Sequence, residues 1–260
     1  MAASSLSMSS ERMSRKYVKS LFYVLIVFSL FHLVSVLIVL VPNGDSLLIL
    51  YPLSTLKPWC ILYGVLQCVG SWHLSRSHPR DDADCGGLSS SGGKSLKGPH
   101  AILHFITSTI KTALKYGLLL CLSSILFHTV AVLYGAPLTE SVQETAIFAV
   151  LLTTLVALPT FFMIGTDGEQ LNRIFKTRKL QAGIETGLVY IVVASLLGAW
   201  LGAFPIPLDW DRPWQKWPIS CCIGALIGHA VGLGAAVVHC GRMLSTEVVD
   251  TASDRKSKNF

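Results

Sequence analysis

The segment Gly224-Ala-Leu-Ile-Gly-His-Ala-Val-Gly232 places a glycine at every fourth position inside an apolar run from about 217 to 240. Residues four apart stand above one another on a helix, so the three glycines form a flat strip along one face. Lipid tails are as apolar as leucine, so no hydrophobic force drives helices together in a bilayer; small residues that let backbones touch do the work instead. A second pair, Gly198 and Gly202 in Gly198-Ala-Trp-Leu-Gly202, has the same spacing in the preceding apolar run. The pattern reads as a membrane helix built for close packing. Its partner is either that preceding run or another protein.

Composition agrees. The 260 residues are 52% hydrophobic and 14% charged, against about 25% charged in a soluble domain. Apolar residues come in blocks of about 20, the length that crosses a hydrocarbon core of about 30 Å. Six such blocks fall at about 19–41, 52–74, 111–133, 143–165, 184–204 and 217–240. The second is the weakest, since it holds Pro58 and Gln67. The reading is an all-α membrane protein of about six transmembrane helices. It divides into a tail (1–18), a first pair of spans (19–74), a Gly/Ser-containing linker (75–110), a four-helix core (111–241) and a polar, disordered tail (242–260). No small-residue cleavage site follows the first run, which therefore reads as an uncleaved anchor.

Charge sets the orientation. Eighteen of the 21 lysines and arginines lie in the N-terminal tail, the 75–115 region, the 173–179 loop and the C-terminus. The other side holds only Lys57, Arg212 and Lys216. Lys and Arg accumulate in cytoplasmic loops, so both termini are expected in the cytoplasm and the loops near 42–51, 134–142 and 205–216 on the lumenal side. The basic pI of about 9.0 is then a matter of topology, with no nucleic-acid partner implied.

Catalytic groups are sparse. The lumenal loops contain Asp45, Glu140, Glu144, Asp209 and Asp211 but no histidine, too few ligands for a two-metal site. His100 and His104 form H-x-x-x-H, but Ala101 occupies the place of the zincin glutamate. Asp81, Asp82 and Asp84 lack the glutamate that closes a calcium loop. The cysteines form no C-x-x-C pair and are expected to be free thiols. No cofactor, metal or catalytic residue is assigned. His32, His128 and His229 fall in or near spans, where interhelical hydrogen bonding is the expected role.

The connection Pro205-Ile-Pro-Leu-Asp-Trp-Asp-Arg-Pro-Trp-Gln-Lys-Trp-Pro218 is the most distinctive stretch. Pro205 and Pro207 end the fifth span. Asp209 or Asp211 is placed to cap a short interfacial helix, with Pro213 in its first turn. Trp210, Trp214 and Trp217 then share a helical face, with Arg212, Gln215 and Lys216 off it. The tryptophans serve a partner-docking surface, an aromatic belt at the headgroups, or both. The candidate interface comprises Gly198, Trp200, Gly202, Pro205, Pro207, Asp209, Trp210, Arg212, Trp214, Trp217, Gly224, Gly228 and Gly232. Tyr134-Gly-Ala-Pro-Leu-Thr-Glu140 echoes this connection as Pro-Leu followed by an acid, a single short match.

Leu133-Tyr-Gly-Ala-Pro-Leu138 and the block from Gly198 to Cys221 resemble the PIG-F family over about Lys111 to Gly241. The resemblance implies an endoplasmic reticulum membrane protein that stabilises two large catalytic subunits, PIG-O and PIG-G. Those transfer ethanolamine phosphate from phosphatidylethanolamine to mannoses of the glycosylphosphatidylinositol (GPI) anchor precursor, and the zinc and the nucleophile belong to them. A small multispan lipid transporter or flippase is the alternative function.

Overall fold

The computed structural model describes residues 2–40, 47–77, 99–164, 184–208 and 210–257. The Gly/Ser stretch, Cys85, the 173–179 cations and Asp209 lie outside the described residues. Among the described residues there are helices and turns and no strand. The helices are α1 (Ala2–Leu40), the single turn α2 (Leu47–Leu50), α3 (Pro52–Ser77), α4 (Pro99–Leu133), α5 (Val142–Leu152), α6 (Leu158–Ile164), α7 (Ile184–Leu201) and α8 (Ile219–Ser257).

Among the described residues, four helical segments are long and apolar enough to cross a membrane: Val18–Ile38, Ile110–Leu133, Val142–Met163 and Ile219–Thr246. Two of the six expected spans do not meet that standard. α3 carries Lys57, Gln67, His73 and Arg76 along its length. The apolar part of α7, Thr186–Leu201, is shorter; at 1.5 Å per residue it reaches about 24 Å.

Helix ends also differ from the hydropathy boundaries. α1 starts at Ala2, α4 at Pro99, and α8 continues to Ser257 through what the sequence reading assigns to a disordered tail. Once a helix is nucleated, each further residue adds a hydrogen bond. No Gly or Pro interrupts 2–40 or 242–257, and Pro99 occupies the first helical position that tolerates it.

α5 and α6 are one apolar rod interrupted by a π-turn at Thr153–Ala157. Pro159 lacks the N–H that would continue the ladder, and the wider turn absorbs the defect. Thr153, Thr154 and Thr160 donate back to the carbonyls of Ala149, Val150 and Val156. The Gln67 side chain of α3 donates to the Thr154 carbonyl at 3.1 Å. Of the four long apolar segments this rod is the most buried and α4 the least. α4 therefore sits at the periphery and ends in a Schellman motif: the Ala136 N–H reaches the Ala131 carbonyl, the Gly135 N–H reaches Val132, and Gly135 takes φ +104°.

A polar network runs through the apolar interior of the bundle. Tyr63 O–H donates to His229 Nε2 at 2.8 Å. His229 Nδ1–H donates to Ser195 Oγ at 3.0 Å, and Ser195 donates onward to the Ile191 carbonyl. His32 Nε2–H reaches the Leu226 carbonyl at 2.9 Å, and its ring lies 4.8 Å from that of His229. Trp59 and Phe31 stack on Tyr63, and the Trp59 indole donates to Ser35. One network thus joins α1, α3, α7 and α8, the role expected for His32 and His229. Tyr63→Phe should leave His229 Nε2 buried without a donor and cost about 1 kcal/mol. Thermal unfolding in detergent should show a lower midpoint for that variant and none for Tyr134→Phe, whose ring is exposed.

Candidate functional site: a glycine-seamed hairpin and its tryptophan-rich linker

α8 packs more extensively on α7 than on any other element, and the glycines explain how. A β-carbon at Gly198 would stand 2.9 Å from Gly228 Cα, and one at Gly224 would stand 3.0 Å from Gly202 Cα. At Gly228 it would strike the Ala194 carbonyl and lie 3.0 Å from Gly198 Cα. At Gly202 it would lie 2.8 Å from Cys221 Cα, and at Gly232 it would lie 2.7 Å from Ile191 Cα. Every obstacle within 3.0 Å is backbone, which cannot move aside like a flexible side chain. Gly234, two residues past the strip, meets nothing within 4 Å. The strip's neighbour is therefore α7, which resolves the choice the sequence left open.

The linker is not an amphipathic helix. Among the described residues between α7 and α8, the helical element is a 3-10 turn, Pro213–Gln215. Upstream, the chain descends through tight turns: Ala203 to Trp200, Ile206 to Ala203, Leu208 to Pro205. Pro205, Pro207 and Pro213 donate no ladder bond, and Asp211 sits at φ +45°, outside helical geometry. Trp210, Trp214 and Trp217 therefore do not share a face. Arg212, not an aspartate, stands at the N-cap of the turn. Asp209 is outside the described residues.

Gln215 organises this turn. Its Nε2 donates to the carbonyls of Pro205 (2.8 Å) and Leu208 (2.7 Å), and its Oε1 accepts from the Arg212 N–H at 2.8 Å. The residue read as lying off the tryptophan face is 8% exposed and ties both limbs of the linker together. A buried glutamine among prolines, which leave carbonyls without local partners, was the available signal.

The tryptophans divide. Trp217 turns inward: its indole donates to Thr145 Oγ1 at 2.9 Å, and its ring meets Phe148 edge-on at 5.4 Å. It pins the hairpin to α5. Trp214 is half-buried against the same core and lies edge-on to Trp210 at 6.1 Å. Trp200 and Trp210 face outward, 51% and 56% exposed. Trp200 contacts Phe204 at 5.0 Å, and Leu201, Phe204 and Leu208 are also exposed. Pro207, Arg212 and Lys216 are exposed beside them, and Pro205 is half-buried. The outward set is a group of exposed aromatic and aliphatic side chains at the end of α7 and in the linker. Among the described residues no three His, Cys, Asp or Glu side chains gather as metal ligands, and the described cysteines are free.

The profile of the GPI biosynthesis protein family Pig-F matches residues 4–237. This chain belongs to the PIG-F family. A mouse relative named GPI ethanolamine phosphate transferase, stabilizing subunit, is 44% identical over 49% of this chain and 58% of its own length. The human protein of the same name is 43% identical over 51% of this chain and 59% of its own. Glycosylphosphatidylinositol anchor biosynthesis protein 11 of Yarrowia lipolytica is 36% identical over 56% and 64%. The chain thus spans less than two thirds of the relatives it matches. No solved structure matches.

Gly228→Leu should force α7 and α8 apart and cost at least about 3 kcal/mol, the upper end for overpacking, because its neighbours are backbone. Gly234→Leu should be tolerated. Monodispersity and protease resistance in detergent distinguish the two. Gln215→Leu should cost about 2 kcal/mol through unpaired carbonyls and hasten proteolysis within 203–216 specifically.

Proposed function

We propose that this chain is the non-catalytic stabilising subunit of GPI ethanolamine phosphate transferases, working with the large catalytic subunits PIG-O and PIG-G in the endoplasmic reticulum membrane. The observation that carries this reading is the identity of 44% and 43% to two proteins whose names state that role. The donor is phosphatidylethanolamine and the acceptor a mannose of the anchor precursor, with the chemistry on the partner.

The topology that goes with it has six crossings and both termini in the cytoplasm. α3 and α7 cross beside the four longer spans, sheltered by α1, α5 and α8. The 1–18, 19–74, 75–110, 111–241 and 242–260 segments keep their places as tail, first span pair, linker, core and tail, with helix running into the flanking segments. The α2 turn, the 134–141 turn and the described part of the 202–218 linker then share the lumenal end. Leu48, Ala136 and Ile219 belong to one buried cluster there, which supports their common placement.

Within that frame, Trp200, Phe204, Leu208 and Trp210 form the docking face for the catalytic subunit. Large aromatic side chains are typical interface anchors. The glycine seam and the inward Trp214 and Trp217 hold that face rigid.

Deleting the chain should lower the abundance of the transferase subunits; unchanged levels would refute the role. Trp200→Ala with Trp210→Ala should cut copurification of the large subunit at least about tenfold, in the range of a hot-spot loss of about 2 kcal/mol. The unfolding midpoint should stay unchanged. Normal copurification would leave the outward indoles as a headgroup belt.

A further inference from the structure

One groove belongs to neither the seam nor the linker. It lies between α1 and α8 at the end opposite the tryptophans. Phe22, Gly241, Arg242, Leu244, Ser245 and Thr246 line an open cleft of about 690 Å³, within the usual range for small-molecule sites. Gly241 sets its depth, since a β-carbon there would lie 3.4 Å from the Phe22 ring. The apolar segments of the two helices are Val18–Ile38 and Ile219–Thr246. The cleft therefore lies where both apolar segments end, with Phe22 and Leu244 on its apolar side and Arg242, Ser245 and Thr246 on its polar side.

The two helices run antiparallel, because Phe22 meets Gly241 while His32 meets Leu226 and His229. Lys19, one turn before Phe22 on the same face, is then level with the turn after Gly241. Lys19, Lys16 and Arg242 are all exposed. The Ser245 and Thr246 hydroxyls donate to carbonyls of their own helix, Gly241 for Ser245 and Arg242 and Met243 for Thr246. Recognition of a ligand here falls to the cations.

We propose that this groove is a binding site for an anionic membrane phospholipid. The phosphate sits between Arg242 and Lys19, and an acyl chain lies against Phe22 and Leu244. A positive rim over an apolar wall, at the depth where headgroup meets chain, matches that one ligand in both charge and position. The site rests on the proposed topology only for the leaflet that supplies the lipid, the cytoplasmic one, where anionic lipids concentrate.

Native mass spectrometry of the purified full chain, given phosphatidylserine or phosphatidylcholine in detergent, tests this. One phosphatidylserine should be retained and phosphatidylcholine lost. Arg242→Gln and Lys19→Gln should each weaken retention about fivefold, the effect of one cation near an anionic surface. Thr246→Phe, on the exposed rim, should block the groove with the charges intact. Unchanged melting of each variant establishes that it is folded. Equal retention of both lipids, or full retention in Arg242→Gln and Thr246→Phe, would overturn the site. Displacement of phosphatidylserine by millimolar inorganic phosphate would overturn the lipid assignment in favour of free phosphate. The measurement contains no transferase, so its outcome is separate from that of the stabilising role.

Discussion

Two helix backbones in direct contact are the constraint on which the remaining structure depends. In lipid, association must come from packing and hydrogen bonds, because the hydrophobic effect is already satisfied. α7 is too short to be a strong span by itself. It is held by α8 through Gly198 and Gly202 against Gly224, Gly228 and Gly232, where a single β-carbon would meet backbone within 3.0 Å. α8 then presents its other faces to α1 and α5, and α7 brings Ser195 to the polar network.

That network supplies the specificity the glycines lack. Flat helix faces slide; directional bonds do not. Tyr63, His229 and Ser195 form a chain of donors that ends on the Ile191 carbonyl, and each member comes from a different helix. His32 reads the backbone of α8 at Leu226. A shift of α8 by one turn would break these bonds together. Individually they are worth about 1 kcal/mol or less in a membrane, so their weight lies in selecting one register. α3 is retained by the same means, through Tyr63 and through the Gln67 bond to the widened turn of α5–α6.

What the sequence disclosed and what it hid follow a physical line. The glycine strip was legible because its meaning is a period, and periods survive without coordinates. His32 and His229 were legible as hydrogen-bonding residues because buried polar groups in lipid need partners; their shared partner, Tyr63, was not, since nothing local links residues 63 and 229. The linker misled because tryptophans at i, i+4 and i+7 mimic a helical face. Four prolines within 14 residues outweighed that spacing, and the chain turned instead of coiling. The six-span count rested on apolar length alone, and two helices are held by neighbours more than by hydropathy.

The split of the tryptophans carries the functional argument furthest. A headgroup belt needs indoles only at the right depth, and any rotation about the hairpin axis would serve. Here Trp217 is fixed by a hydrogen bond and an aromatic contact to α5, and Gln215 locks the turn beside it. The tied linker holds Trp210 beside Trp214 and leaves Trp200, Phe204, Leu208 and Trp210 exposed. Rigidity lowers the entropy lost on association with a protein, and a belt gains nothing from it. The organisation spent on so short a connection therefore favours a docking face, with the lipid contact as its surroundings.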